Sequence, residues 1–225
     1  MRVNTPGSLE DIVPEYRSGN PVVRWIFRRR LAVALELGEL AGPDRMRVLD
    51  LGCGEAAFLR LAQRMFPQHS YVGWDIHPGI SAFEVPGVEL QRVDIRETSS
   101  LPSLEFDRIF CLDVLEHFQE LEETLANIRR LLKPGGSLIV SEPTESVLYR
   151  CGRLLVKGTF SSQEGPCAGP HYRDAEGVDA EIRRSGFKRS DIRRMPPRPL
   201  DVFHLTKYCT AESGLADDPD LEQRP

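Results

Sequence analysis

Met46-Arg47-Val48-Leu49-Asp50-Leu51-Gly52-Cys53-Gly54-Glu55-Ala56-Ala57 is the stretch from which the rest of the chain is read. Met46 to Gly52 is short, rich in branched apolar residues and followed by glycines, the pattern of a strand buried on both faces. Ala56 to Phe66 then carries apolar residues at helical spacing. The alternation repeats downstream. HSYVGWD, GVELQRVD and FDRIFCLD read as strands ending at Asp75, Asp94 and Asp113. HFQELEETLANIRRLL reads as a helix with Phe118, Leu121, Leu125, Ile128 and Leu132 on one face, stopped by Pro134 and Gly135-Gly136. SLIVSEP is a fifth strand. Strands alternating with helices predict an α/β fold, a mostly parallel sheet with helices on both faces. Such sheets bind ligands beyond the carboxyl ends of their strands.

Before this core, Val22, Val23, Ile26, Phe27, Leu31, Leu35 and Leu37 recur at near-helical spacing, with Arg24 and Arg28 to Arg30 between them. Residues 1–43 therefore read as an N-terminal helical cap over the edge of a cleft. The core runs over 44–209, with a lid insertion at about 144–173. A helix over Ala175 to Gly186 and strands over Phe187 to Met195 and Asp201 to Cys209 complete it. Residues 210–225 are acidic and poor in apolar side chains, a loose tail.

The chain has 225 residues, 40% of them hydrophobic, which suits one domain with a sizeable core. The start lacks the apolar run of a secretory signal, and no stretch approaches the ~18 apolar residues of a membrane span. The five cysteines are odd in number, scattered and without a CxxC, which fits free thiols in a reducing, cytoplasmic setting better than disulfides or zinc. A net charge of -5 speaks against general polyanion binding.

Gly52 and Gly54 permit a tight strand-to-helix turn and close approach of a ligand to the backbone. Asp75 lies 21 residues after Gly54, where a carboxylate accepts hydrogen bonds from both ribose hydroxyls. Gly52, Gly54 and Ala57 match the GxGxxA form of dinucleotide sites. Asp50, two residues before the first glycine, would repel a pyrophosphate and suits an ammonium group instead. That disfavours a nicotinamide enzyme.

These motifs in this order resemble the class I S-adenosylmethionine-dependent methyltransferases of small-molecule type. VLDLGCG resembles their first motif, GWDIHP the second, VDIRE the third, CLDVLEHF the fourth and LLKPGGSLIVSEP the helix-to-strand motif that follows, over roughly 20–209. The resemblance implies a Rossmann-like, seven-stranded sheet whose last strand is antiparallel, and S-adenosylmethionine as cofactor. It assigns Asp50, Gly52 and Gly54 to the methionine half, Asp75 to the ribose with Ile76 on the adenine, Asp94 to the adenine amino group with Ile95 beside it, and Leu112 to the methionine pocket. Ala56 departs from the pattern, standing where the family usually has a third glycine.

Methyl transfer from a sulfonium needs orientation first, and a base only where the acceptor must lose a proton. The candidate catalytic residues are His117 and His171, the latter in GPHYRDAEG. Asp113, Glu116 and His117 form DxxEH, whose spacing places all three on one side of a forming helix. The set resembles the ExxEH metal motif of ubiquinone-pathway O-methyltransferases and small-RNA methyltransferases, where two carboxylates suit Mg²⁺ and His171 would complete the site. The same LEH is widespread in relatives without metal, so no metal is expected. The acceptor reads as small or lipid-like, methylated at O, N or C. Val147 to Phe160 and Val22 to Leu37 are apolar and cationic and suit a lid over such an acceptor or a peripheral membrane contact. RNA is the weaker acceptor, although seven cations lie between Arg183 and Arg198. A non-catalytic nucleotide- or partner-binding module is the alternative from another class. The oligomeric state stays open.

Overall fold

The computed structural model describes residues 19–97, 103, 105–144, 172–197 and 201–210. Pro21–Leu37 form helix α1, which begins on Asn20, whose side chain accepts the Val22 N–H at 2.9 Å, with Pro21 in the first turn. Strand β1 (Arg47–Leu51) leads into α2 (Ala57–Met65), then β2 (Ser70–Asp75), a 3₁₀ turn (Pro78–Ala82) and β3 (Val88–Arg92). β4 (Phe106–Leu112), a 3₁₀ turn (Leu115–His117), α3 (Leu121–Leu131) and β5 (Leu132–Pro143) follow. Helix α4 (Ala175–Arg184) and strands β6 (Phe187–Met195) and β7 (Phe203–Thr210) close the core.

The seven strands form one sheet in the order β3-β2-β1-β4-β5-β7-β6. The first five are parallel, and β7 runs antiparallel between β5 and β6. The expected Rossmann-like sheet with an antiparallel last strand is therefore present. Alternating side chains divide the core in two. Val48, Tyr71, Phe110 and Ile139 pack under α1 and α2. Leu49, Val72, Ile109 and Leu138 pack under α3 and α4 on the opposite face. The register pairs Leu51 with both Trp74 and Cys111, and Leu112 with Ser141. The carboxyl ends of β1, β2, β4 and β5 thus form one rim.

Several boundaries differ from the sequence reading. The helix after β4 begins at Leu121, not His117, because Leu115 and Glu116 are drawn into the core as a 3₁₀ turn and Phe118 is extended. That same turn breaks the helical face on which Asp113, Glu116 and His117 were placed. α3 ends before Pro134, since Leu132 already pairs with Phe106 in the sheet. Thr210 belongs to β7 and pairs with Phe187 rather than starting the tail. Cys53, Cys111 and Cys209 are buried free thiols. The tail beyond Thr210, most of the proposed lid, and His171 lie outside the described residues.

Gly52 fixes the rim's geometry. Its φ is +73°, and a Cβ there would stand 2.5 Å from Val114 Cγ2. Gly52→Ala combines a left-handed backbone cost of ~1–2 kcal/mol with overpacking of ~1–3 kcal/mol. Urea unfolding is expected to show at least ~2 kcal/mol lost stability; an unchanged midpoint would mean the turn is not held as described.

Candidate functional site

The turn after β1 is closed by backbone bonds from Gly52 and Cys53 N–H to the Trp74 carbonyl, at 2.7 and 3.1 Å. This brings Gly54 to the end of β2, where its N–H donates to Asp75 Oδ2 at 2.8 Å. The His77 N–H donates to Asp75 Oδ1, also at 2.8 Å. Two backbone donors thereby orient one carboxylate at the mouth of the crevice, and its remaining lone pairs suit a pair of hydroxyls. Ile76, next in sequence, is 59% exposed and offers an apolar surface beside it.

Asp50 lies under the turn with 3% exposure. Burial, and then the charge of Asp75, push its carboxyl well above the usual carboxylate range. A buried acid with no ion-pair partner among the described residues fits a ligand that brings an ammonium. Ala56 takes the left-handed conformation, φ 58°, that a glycine would adopt freely. Its methyl is fully buried, so packing of ~0.8 kcal/mol offsets part of a ~1–2 kcal/mol backbone cost.

Asp94 stands just past β3 and accepts from both the backbone N–H (3.0 Å) and the side chain Nε (2.8 Å) of Arg96. The Arg96 side-chain bond, with its charge, holds the Asp94 carboxyl below its ordinary range. A donor reaching Asp94 shares it with Arg96, a residue the sequence reading did not single out. Ile95 points into the α3-side core at 2% exposure, and its carbonyl accepts from Asn127 Nδ2 at 2.8 Å. What Ile95 offers the rim is backbone, since its side chain is committed to the core. Leu112 is half-buried at the end of β4, beside Ser141 and packed against the α1-side core.

A second group of acids occupies the rim at β4 and β5. Asp113, at φ 60°, ion-pairs with Arg30 of α1. Arg30 is itself buried and stacked over Phe203 (4.6 Å to the ring centroid) and Phe27 (5.1 Å). Glu116 and Glu142 are both buried, and among the described residues no hydrogen-bond donor reaches Glu116 Oε2 or either Glu142 carboxyl oxygen. Burial first, then neighbouring carboxylates, push both acids up: Asp113 acts on each, and Glu116 acts on Glu142. Both carboxyls are thereby biased toward their protonated form. His117 is partly exposed, with Nε2 3.9 Å from Glu116 Oε1.

The start of the segment before α4 is fastened to this rim. The Tyr172 N–H donates to the Glu116 carbonyl at 2.8 Å, and Arg173 donates to the Phe118 carbonyl at 2.7 Å. Glu142 and Arg30 were not picked out from sequence. An acid closing an otherwise apolar strand was the available signal for Glu142. For Arg30 it was an arginine in helical register with Phe27 and Ala34. Among the described residues, no three His, Cys, Asp or Glu side chains are gathered as a metal site.

The acid pair predicts a pH dependence of stability. Its folded-state pKa is raised, so the native state binds more protons than the unfolded chain above the ordinary glutamate range. Stability is then full at low pH and falls as pH rises through the native pKa. Glu116→Gln removes one buried charge and supplies a donor to Glu142. Denaturant unfolding at pH 6 and pH 9 is expected to show a smaller alkaline loss in the variant, by on the order of 1 kcal/mol. Parallel pH profiles would contradict the shared proton.

Residues 24–189 match the sequence family described as a methyltransferase domain. A highly reducing polyketide synthase of Calcarisporium arbuscula is 29% identical over 99% of this chain, which spans only 10% of that protein. A malonyl-[acyl-carrier protein] O-methyltransferase of Methylococcus capsulatus is 26% identical over 76% of this chain and 62% of the relative. The N-methyltransferase NodS of Bradyrhizobium japonicum, solved with S-adenosyl-L-homocysteine, superposes with a TM-score of 0.61 at 17% identity, over 90% of this chain and 97% of NodS. The family match over most of the chain, the sheet order and the acid-tipped rim agree, and the chain belongs to the S-adenosylmethionine-dependent methyltransferases.

Proposed function

We propose that this chain methylates a small acyl acceptor at a carbon made acidic by a neighbouring carbonyl, the acceptor being held as a thioester. The observation that carries the reading is the Glu116–Glu142 pair under His117, at the end of the sheet where β4 and β5 stop. A carboxylate oxygen accepts a methyl group without losing a proton, whereas a carbon acid needs a base. Asp113, Glu116 and Glu142 crowd this part of the rim, which disfavours a free carboxylate and tolerates a neutral acyl group. The relatives support acyl chemistry: one is named for polyketide synthesis and another for a malonyl group on an acyl carrier protein.

S-Adenosylmethionine, when bound, supplies the activated methyl group. Asp50 would meet its ammonium, Asp75 its ribose hydroxyls, and Ile76 and Asp94 its adenine. The Gly52–Gly54 turn would let the methionine half approach the backbone. At the other end, His117 would take the proton from the acceptor carbon, leaving an electron pair that would accept the donor's methyl group as the methyl–sulfur bond breaks and S-adenosylhomocysteine is released. Glu116, against the ring, stabilises the imidazolium that forms. His171, a second candidate base, directly precedes in sequence Tyr172, whose N–H donates to the Glu116 carbonyl.

Two expectations follow from the two ends. S-Adenosylhomocysteine titrated calorimetrically should bind wild type, and Asp75→Ala should weaken it by tenfold or more, since hydrogen bonds to a charged group contribute ~1.5–3 kcal/mol. Ionising Asp50 against the ligand's ammonium releases a proton, so affinity should rise from pH 5 to pH 8, and Asp50→Asn should flatten that rise. No binding by the folded protein would remove the cofactor assignment. For the acceptor, acetoacetyl-pantetheine in D₂O should exchange its α-hydrogens in the presence of the protein and be methylated at that carbon once S-adenosylmethionine is added. His117→Ala should slow both by ~100-fold. A methyl ester of malonyl-pantetheine as the sole product would contradict the carbon reading and favour a carboxylate oxygen.

A further inference from the structure

Helix α1 changes character along its length. In its second half Leu31, Val33, Ala34, Leu35 and Leu37 are all buried against the sheet. In its first half one side reaches inward through Phe27, edge-on to Phe203, and through Arg30, paired with Asp113 at the acceptor part of the rim. The other side is open to solvent: Val22 is 60% and Trp25 58% exposed, one turn apart, with exposed Arg28 and Arg29 following on the same face. Exposed tryptophan beside arginine is the composition of a binding hot spot. The only acid in α1 is Glu36, in its last turn, and it pairs with Arg29 at 2.7 Å. In a chain of net charge -5 this is a local reversal of sign.

We infer that the exposed face of α1, Val22 and Trp25 with Arg28 and Arg29, docks an acidic carrier protein that delivers the thioester acceptor to the rim. The inference rests on the acyl reading above. Two geometric facts support it. The helix that carries the face is itself a wall of the site, because Arg30 on its inner side touches Asp113. The apolar part of the face is narrow, two side chains rimmed by cations, which suits a transient contact with a charged protein surface. It does not suit insertion into a bilayer, because the broad apolar face of α1 is already spent on the core. Arg28 has no ion-pair partner among the described residues and is available to an acidic surface. Local charge of this kind raises the encounter rate and weakens with salt.

The test compares one acetoacetyl group on an acidic acyl carrier protein and on free pantetheine. Wild type is expected to have a kcat/KM at least tenfold higher on the carrier, falling toward the pantetheine value as salt is raised. Trp25→Ala with Arg28→Glu should remove that preference while leaving kcat/KM on pantetheine within about twofold and S-adenosylhomocysteine affinity unchanged. An independent readout comes from fluorescence. The chain has two tryptophans, and Trp74 is buried, so carrier-induced quenching or blue shift reports Trp25. A shift with the carrier that Arg28→Glu abolishes supports docking even where turnover is absent, and turnover absent on both acceptors with docking intact points to failure of the acyl reading instead. Equal turnover on both forms with no shift would overturn the inference. So would a Trp25 shift produced by anionic phosphatidylglycerol vesicles and not by the carrier.

Discussion

Two backbone N–H groups, from Gly54 and His77, converge on the carboxylate of Asp75. One belongs to the turn after β1 and the other to the turn after β2, so the contact ties the two loops that open the crevice. It exists because β1 and β2 are parallel and in register, which ends them at one level, and because Gly52 turns with positive φ where a side chain would strike Val114. Asp75 is thereby held at the edge of the site, and its charge helps push up the Asp50 carboxyl below. The cofactor end is in this sense one electrostatic unit: a fixed anion at the mouth, and a buried acid that ionises when a cation arrives.

The acceptor end works by a different balance. Asp113 is neutralised by Arg30, which arrives from α1 across the sheet edge and is desolvated between two phenylalanine rings. Glu116 and Glu142 are relieved only in part by the same Arg30, and burial together with the neighbouring carboxylates pushes both carboxyls up. Burying unpaired acids is costly, and their presence at the ends of β4 and β5 is the kind of local compromise that folds make at functional sites. The neighbouring 3₁₀ turn belongs to the same compromise, since a regular helix from His117 would not bury Glu116 in this way.

Much of this was legible in the sequence. Alternating strands and helices pointed to the sheet, and the acids at or just past strand ends, Asp75, Asp94 and Asp113, pointed to its ligand-binding edge. What escaped depended on direction rather than identity. Ile95 follows Asp94, but its side chain turns to the opposite face of the sheet and joins the core. The apolar repeat from Phe118 to Leu132 looks continuous, yet pairing of Leu132 with Phe106 and burial of Leu115 shorten the helix at both ends. Arg30 sits in a run of arginines that reads as a solvated face, and only the packing of α1 against β7 shows that one of them points inward. Glu142 ends a strand whose apolar run hides its acid.

The central claim is that the Asp50–Asp75 rim seats the methyl donor. A crystal structure with S-adenosylhomocysteine tests it most directly. The account predicts ribose hydroxyls on the Asp75 carboxylate, the amino group within hydrogen-bonding distance of Asp50, and the thioether sulfur directed toward the rim between Leu112 and Glu142. A ligand seated elsewhere, or one whose ribose and ammonium leave both acids without contact, would contradict it.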